Sequence, residues 1–137
     1  MEDTRLVSLY AAATELADER FGEGEALVAA VLTEKGRVLT SVYAEAAVEA
    51  ACLCAETGAI CEAHKLGQKV VASLCLYRAA SGSSFRVLPA CGVCQERLAF
   101  WGLDVLVAVP SQAGASEGPA EFKALRELRP HYWDGNA

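Results

Sequence analysis

The chain has 137 residues, 53% of them hydrophobic and 22% charged, and a formal net charge of -6 at pH 7. That length suits a single domain over residues 1–137 with one sizeable core, which needs no disulfides to fold. The acidic balance argues against a groove built for a phosphate backbone, so nucleic acid is not an expected partner and a small neutral substrate fits better.

The opening MEDTRLVSLY mixes charges into its first turns, and no apolar run is long enough to span a bilayer. A soluble cytoplasmic protein without a membrane partner is the expectation. From about Thr4 to Phe21, residues Leu6, Leu9, Tyr10, Ala13 and Leu16 fall at helical spacing and predict an amphipathic first helix. Ala26 to Thr33 (ALVAAVLT) is a continuous apolar run, Glu34-Lys35-Gly36 a turn, and Arg37 to Tyr43 a second strand, which together make a hairpin. Glu45 to about Lys65 is Ala-rich and free of Pro, so it predicts a long buried helix with Gly58 as its weak point.

Val70 to Tyr77 (VVASLCLY) reads as a central strand, Ala79 to Ser84 as a polar loop, and Phe85 to Leu88 as a short extended piece that Pro89 ends. Gly92 to Trp101 reads as a helix with Cys91 at its start, and Asp104 to Val109 as a strand. Pro110 to Pro119 is a small-residue loop, and Glu121 to Leu128 a last helix before the aromatic tail HYWDGNA. Helices alternating with a hairpin and single strands predict an α/β layered fold, with helices covering a mostly buried sheet.

Six cysteines in a cytoplasmic chain are expected to be reduced, metal-bound or buried rather than paired. Cys52, Cys61 and Cys75 read as small apolar core residues. Cys91 and Cys94, in CGVC at the start of a helix, supply two thiolates on one turn, stabilised by the free N–H groups there. Zinc takes thiolate and imidazole ligands in tetrahedral geometry, and catalytic sites keep one position open for water. The best third ligand is Cys54, because Glu56 two residues on can reach a water without ligating the metal. Cys52 has the wrong spacing to Glu56 for that role.

Such a site has a clear chemical use. Bound zinc lowers the pKa of water from about 15.7 toward about 7, and a carboxylate can move its proton to a substrate nitrogen so that ammonia leaves an amidine-like carbon. A lone CxxC also fits a redox pair or half of a four-cysteine structural site. The upstream Cys-x-Glu favours a catalytic metal, and the strand-helix context of a thioredoxin-like pair is missing. The same thiolates could take iron or cobalt.

In Cys54-Ala55-Glu56 followed by Cys91-Gly92-Val93-Cys94, the chain resembles the zinc-dependent cytidine deaminases, in the small all-cysteine subgroup that includes blasticidin S deaminases. The likeness runs from the hairpin, with Gly36 to Thr40 (GRVLT), to the aromatic C-terminus. It implies a three-layer α/β/α fold with a mixed central sheet, in which two ligand-bearing helices meet at the metal through their N-termini. It implies Zn2+ held by Cys54, Cys91 and Cys94, with Glu56 as proton shuttle. It also implies that the N–H of Ala55 bonds the pyrimidine carbonyl and that Glu45 accepts from a sugar hydroxyl. The activity implied is hydrolytic deamination of a small aminopyrimidine, either cytidine, deoxycytidine or a cytosine-containing analogue, by a homo-oligomer (tetramer or dimer) whose subunits help close each other's sites. A cytosine-type antibiotic or another modified base as substrate, and a catalytically silent zinc-stabilised interaction protein, are the competing readings.

Several positions depart from the family pattern. Tyr43 stands where an Asn usually precedes the sugar-binding Glu, Glu25-Ala26-Leu27-Val28 replaces a Phe-Pro-Val-Gly stretch, Ala90 replaces a Pro, and Thr57 replaces an Arg after the catalytic Glu. Tyr43 either packs at its strand end or walls the pocket. Arg97 and Arg86 are candidates to offset the three-thiolate charge, against an ordinary surface role. His131, Tyr132 and Trp133 are expected to pack in a core or interface, with a place over an active site as the alternative. His64 is expected to face solvent and not to ligate.

Overall fold

Strand β1 (Ala26–Thr33) is apolar at nearly every position because both of its faces are covered. In the computed structural model, which describes residues 4–80, 83–111 and 120–133, it runs antiparallel to β2 (Val38–Val42) on one side and to β3 (Val70–Arg78) on the other. Strand β5 (Leu106–Val109) lies parallel to β3, and β6 (Glu121–Ala124) closes the far edge antiparallel to β5. The order is β2-β1-β3-β5-β6, with the two-residue β4 (Arg86–Val87) paired to the end of β3. The sheet is therefore mixed, as expected.

Alternation along the strands sorts their side chains between two helical layers. Val28, Ala30 and Leu32 of β1, with Ala72, Leu74 and Leu76 of β3, meet Leu9, Ala13 and Ala17 of helix α1 (Thr4–Phe21). Val31 faces the other way, and Val70, beyond the register shift at Leu32/Thr33, joins it, toward Ala59, Ile60 and Ala63 of α2 (Thr57–Leu66) and Cys94 and Leu98 of α3 (Gly92–Leu98). Helix, sheet and helix make the three-layer α/β/α arrangement. Arg78, at the end of β3, fastens α1 to the sheet: it donates to the carbonyls of Gly22 at 2.6 Å and Gly24 at 3.0 Å, and pairs with Asp18 at 2.8 Å. No helix among the described residues is long and apolar enough to cross a membrane.

Two expected helices are corrected. The one predicted from Glu45 begins only at Thr57, because Ala44 and Leu53 exchange backbone hydrogen bonds at 3.0 and 2.9 Å in an isolated antiparallel bridge. That pairing folds residues 44–53 into a loop with one 3-10 turn, Glu49–Ala51, and overrides the local preference of an Ala-rich stretch. The helix predicted over Glu121–Leu128 is half strand: the open edge of β5 takes Glu121–Ala124, leaving α4 only Leu125–Leu128. The segment Gly92–Trp101 is α-helical to Leu98 and 3-10 over Ala99–Trp101. Most of the loop Pro110–Pro119 lies outside the described residues.

Gly58 is a point of contact rather than a weak point. A Cβ built there would lie 2.8 Å from Cβ of Ser41, so only glycine lets α2 press this closely on β2. Gly58→Ala gains about 1 kcal/mol of helix propensity, but the clash costs about 1–3 kcal/mol. A net loss of stability in chemical denaturation is the expected result, and equal or greater stability would contradict the contact.

Candidate metal and catalytic site

The approach to α2 is fixed by one hydroxyl. Ser41 Oγ on β2 donates to the carbonyl of Ala55 and accepts the N–H of Ala59 at 2.9 Å, which spans the start of the helix. Thr57 N–H bonds the Cys54 carbonyl at 3.0 Å, so Cys54, Ala55 and Glu56 form the turn that leads into α2. The start of α3 is fixed in a similar way. Gln95 N–H bonds the Cys91 carbonyl at 2.8 Å, and the Gln95 side-chain amide donates to the Ala90 carbonyl at 2.8 Å.

These two starts bring Cys54, Cys91 and Cys94 together, with their sulfurs all within 4.8 Å of one another and Cys54 and Cys91 at 3.3 Å. Tetrahedral zinc with Zn–S distances of about 2.3 Å needs sulfurs about 3.8 Å apart, and the trio fits that span with little adjustment. Cys94 is fully buried, Cys54 half-buried and Cys91 exposed, so the group opens outward on one side.

The sulfurs do not share one electrostatic state. Burial pushes the Cys94 thiol up, and the charges of Glu56, Cys54 and Cys91 push it further. Cys54 rises through burial and through its bond with Cys91. Burial also acts to raise Cys91, but the N–H groups of Cys94 and Val93 and the thiols of Cys54 and Cys94 outweigh it and bring Cys91 below its ordinary value. In the metal-free trio Cys91 is thus the thiol that ionises most readily. A bound dication would remove the mutual repulsion as the remaining protons leave.

Glu56 is 4% exposed. Burial pushes its carboxyl up, while its own N–H, the Cys94 thiol and the charge of Arg97 pull the other way. A buried acid that is poised upward beside three thiols suits proton transfer better than ligation. Arg97 reaches across from α3 to donate to Thr57 Oγ1 at 2.8 Å. Arg86 lies opposite Tyr77 in the β3–β4 pairing, and its charge acts on that phenol.

The remaining candidates lie on either side of the Ala44–Leu53 bridge and in the turn after it. The Ala44–Leu53 bridge sets Tyr43 and Glu45 beside the residue that precedes Cys54, and Tyr43 N–H bonds the Leu27 carbonyl at 3.0 Å. Tyr43 and Glu45 are exposed, whereas Ala55 is buried against Ala29, Cys75, Leu27 and Leu88. Burial and a hydrogen bond involving Cys52 act on the Tyr43 phenol, the hydrogen bond most strongly, and it is pushed up to about 12.

Of the three cysteines read as core, only Cys75 is buried. Cys61 is exposed on α2, and Cys52 is half-buried with its sulfur accepting the Ala46 N–H at 3.3 Å, because the loop that replaces the expected helix turns it aside. Cys75 lies close enough to feel the charges of Glu56, Cys54 and Cys91. Sequence reasoning missed its nearness, and it missed Ser41, which carries no motif of its own.

His64 is exposed as expected, though its ring stacks on Trp101 at 4.6 Å. Tyr132 donates to Glu96 at 2.6 Å on the outside of α3, and Trp133 is exposed, so it does not pack in the core of its own chain. In metal-free protein, iodoacetamide should label Cys91 ahead of Cys54 and Cys94. Its rate should also keep its plateau to lower pH than those of Cys54 and Cys94, because a depressed pKa preserves the thiolate as pH falls. Equal rates at Cys91 and Cys94 would contradict this arrangement.

Neither a family model nor a curated protein matches the chain. Solved structures do. The cytidine deaminase from Bacillus anthracis matches with a TM-score of 0.85 and 39% identity, over 93% of this chain and 89% of that one. The cytidine deaminase from Mycobacterium tuberculosis matches with a TM-score of 0.67 and 28% identity, over 91% of this chain and 94% of that one. That from Burkholderia pseudomallei, at 19% identity and a TM-score of 0.70 over 93% and 98%, shares the fold. With three thiols gathered at two helix starts in that fold, the chain belongs to the cytidine deaminase family.

Proposed function

We propose that this chain is a zinc-dependent hydrolytic deaminase of a small aminopyrimidine: cytidine, deoxycytidine or a cytosine-containing analogue. The observation that carries the reading is Glu56, a buried carboxyl beside three converging thiols. A purely structural metal site has no use for such a group. The likeness to cytidine deaminases supports the substrate class.

Cys54, Cys91 and Cys94 would hold the metal, and zinc among them would supply the Lewis acidity that brings the pKa of water from about 15.7 toward about 7. Glu56 does the proton work. Its carboxylate takes one proton from water as the oxygen bonds the amidine-like ring carbon and gives it to the ring nitrogen. It then takes the second from the new hydroxyl as the carbonyl forms and gives it to the leaving amine. The carbon–nitrogen bond breaks, ammonia departs, and Glu56 ends ionised as it began. Its raised pKa narrows the gap to neutral pH and makes the carboxylate a stronger base for the protons it takes.

In this reading the Ala55 N–H bonds the pyrimidine carbonyl, Glu45 accepts from a sugar hydroxyl, and Tyr43 walls the pocket beside Leu27. The active unit is a homo-oligomer, tetramer or dimer. Exposed Val48, Val93, Phe100 and Trp133 give a second copy apolar surface to cover.

The test is ammonia release by zinc-loaded protein from cytidine, deoxycytidine, cytosine, blasticidin S and several aminopurines. Release from at least one aminopyrimidine is expected, with Glu56→Ala lowering kcat by about 10²-fold or more while zinc stoichiometry stays unchanged. Silence across the panel with zinc bound would sink the reading and favour a zinc-stabilised interaction protein.

A further inference from the structure

The reading of a zinc centre leaves an electrostatic debt. Three thiolates around a dication carry one net negative charge, and ionised Glu56 adds a second. Cys94 is 0% and Glu56 4% exposed, so water does little to screen either. The start of α2 contributes about half a positive charge and the N–H groups of Val93 and Cys94 at the start of α3 add to it, which together cover only part of this.

Arg97 stands one turn beyond Cys94 on α3, where side chains three apart share a face. It is half-buried, and its Nη1 donates at 2.8 Å to Oγ1 of Thr57. Thr57 directly follows Glu56, and its own N–H bonds the Cys54 carbonyl at 3.0 Å. One guanidinium therefore links the helix that carries Cys94 to the turn that carries Cys54 and Glu56. Its charge favours ionised Glu56. A guanidinium keeps its charge at any working pH and has five N–H donors, so a bond to Thr57 leaves it able to address a second anion. Arg86, the other arginine considered for this role, lies opposite Tyr77 in the β3–β4 pairing, and its charge acts on that phenol.

We infer that Arg97 is a positioning residue of the thiol centre, a clamp between the two helix starts that also supplies the positive charge a three-thiolate site lacks. This rests on the metal reading above and goes beyond it by assigning the counter-charge to α3 rather than to the residue after Glu56. Thr57 holds the guanidinium in place, so the pair acts as a unit contributed by two elements.

The test compares wild type with Arg97→Ala, Arg97→Lys and Thr57→Val, with Arg126→Ala, which removes an exposed ion pair with Asp104, as control. Three readouts are needed: zinc retention against a chromogenic chelator, the thiolate-to-metal absorption of the cobalt-substituted protein, and kcat and KM on the best aminopyrimidine. Circular dichroism checks folding. Arg97→Ala should bind zinc about 10- to 100-fold more weakly, shift the cobalt absorption, and lose kcat more than KM. Arg97→Lys should recover part of each, Thr57→Val should fall between, and Arg126→Ala should match wild type. Equal zinc retention and cobalt absorption in wild type and folded Arg97→Ala would overturn the proposal alone. If Arg97→Ala does not fold, Thr57→Val carries the test, and wild-type behaviour there overturns it. A wild-type protein that takes up no zinc removes the metal reading and this proposal together.

Discussion

The hydroxyl of Ser41 holds the start of α2 to the edge of the sheet, and the rest of the site is arranged around that joint. It donates to Ala55 and accepts from Ala59, so it spans the turn on which Glu56 sits. The contact is possible because residue 58 has no side chain to hold the helix away. A strand hydroxyl and a missing methyl group thus set the height of the carboxyl above the sheet. Sheet packing supplies the rigidity behind it, since β1 is covered by α1 on one face and by α2 on the other.

The thiols meet through a second constraint, the route from β3 to α3. Leu88 N–H bonds the Cys75 carbonyl at 3.0 Å, which returns the chain to the sheet just before Cys91. The helix that follows buries Cys94 and Leu98 against Val107 and Leu125. Cys94 is therefore a core residue and a candidate ligand at once. Its burial raises the cost of leaving the sulfur charged, and the same burial makes a bound cation favourable there. The exposed Cys91, with N–H groups directed at its sulfur, is the member that carries charge most readily.

Legibility in the sequence followed the range of the interactions. α1 and β1 were read with their ends intact because each is set by a local period, 3.6 for the helix and a continuous apolar run for the strand. The stretch after Glu45 was misread because a bridge between Ala44 and Leu53 decides its shape, and neither residue advertises a partner. Glu121–Ala124 was misread for a similar reason: β5 needed an edge partner, and a short charged segment supplied one. Cys61 and Cys52 were assigned to the core by residue type alone, which says nothing of the face a residue occupies.

By itself the sequence determined the chemistry available: a Cys-x-Glu turn, a CxxC at a helix start and enough alternating elements for a layered α/β fold. These are short-range patterns, and short-range physics fixes them. Only the tertiary structure decided that the three sulfurs meet within 4.8 Å, that Arg97 reaches the turn after Glu56, and that Ala44, between Tyr43 and Glu45, pairs with Leu53 just before Cys54. Those placements depend on contacts between residues tens of positions apart. Only the packed sheet and its helices bring such residues together, because no local preference encodes the distance between two elements.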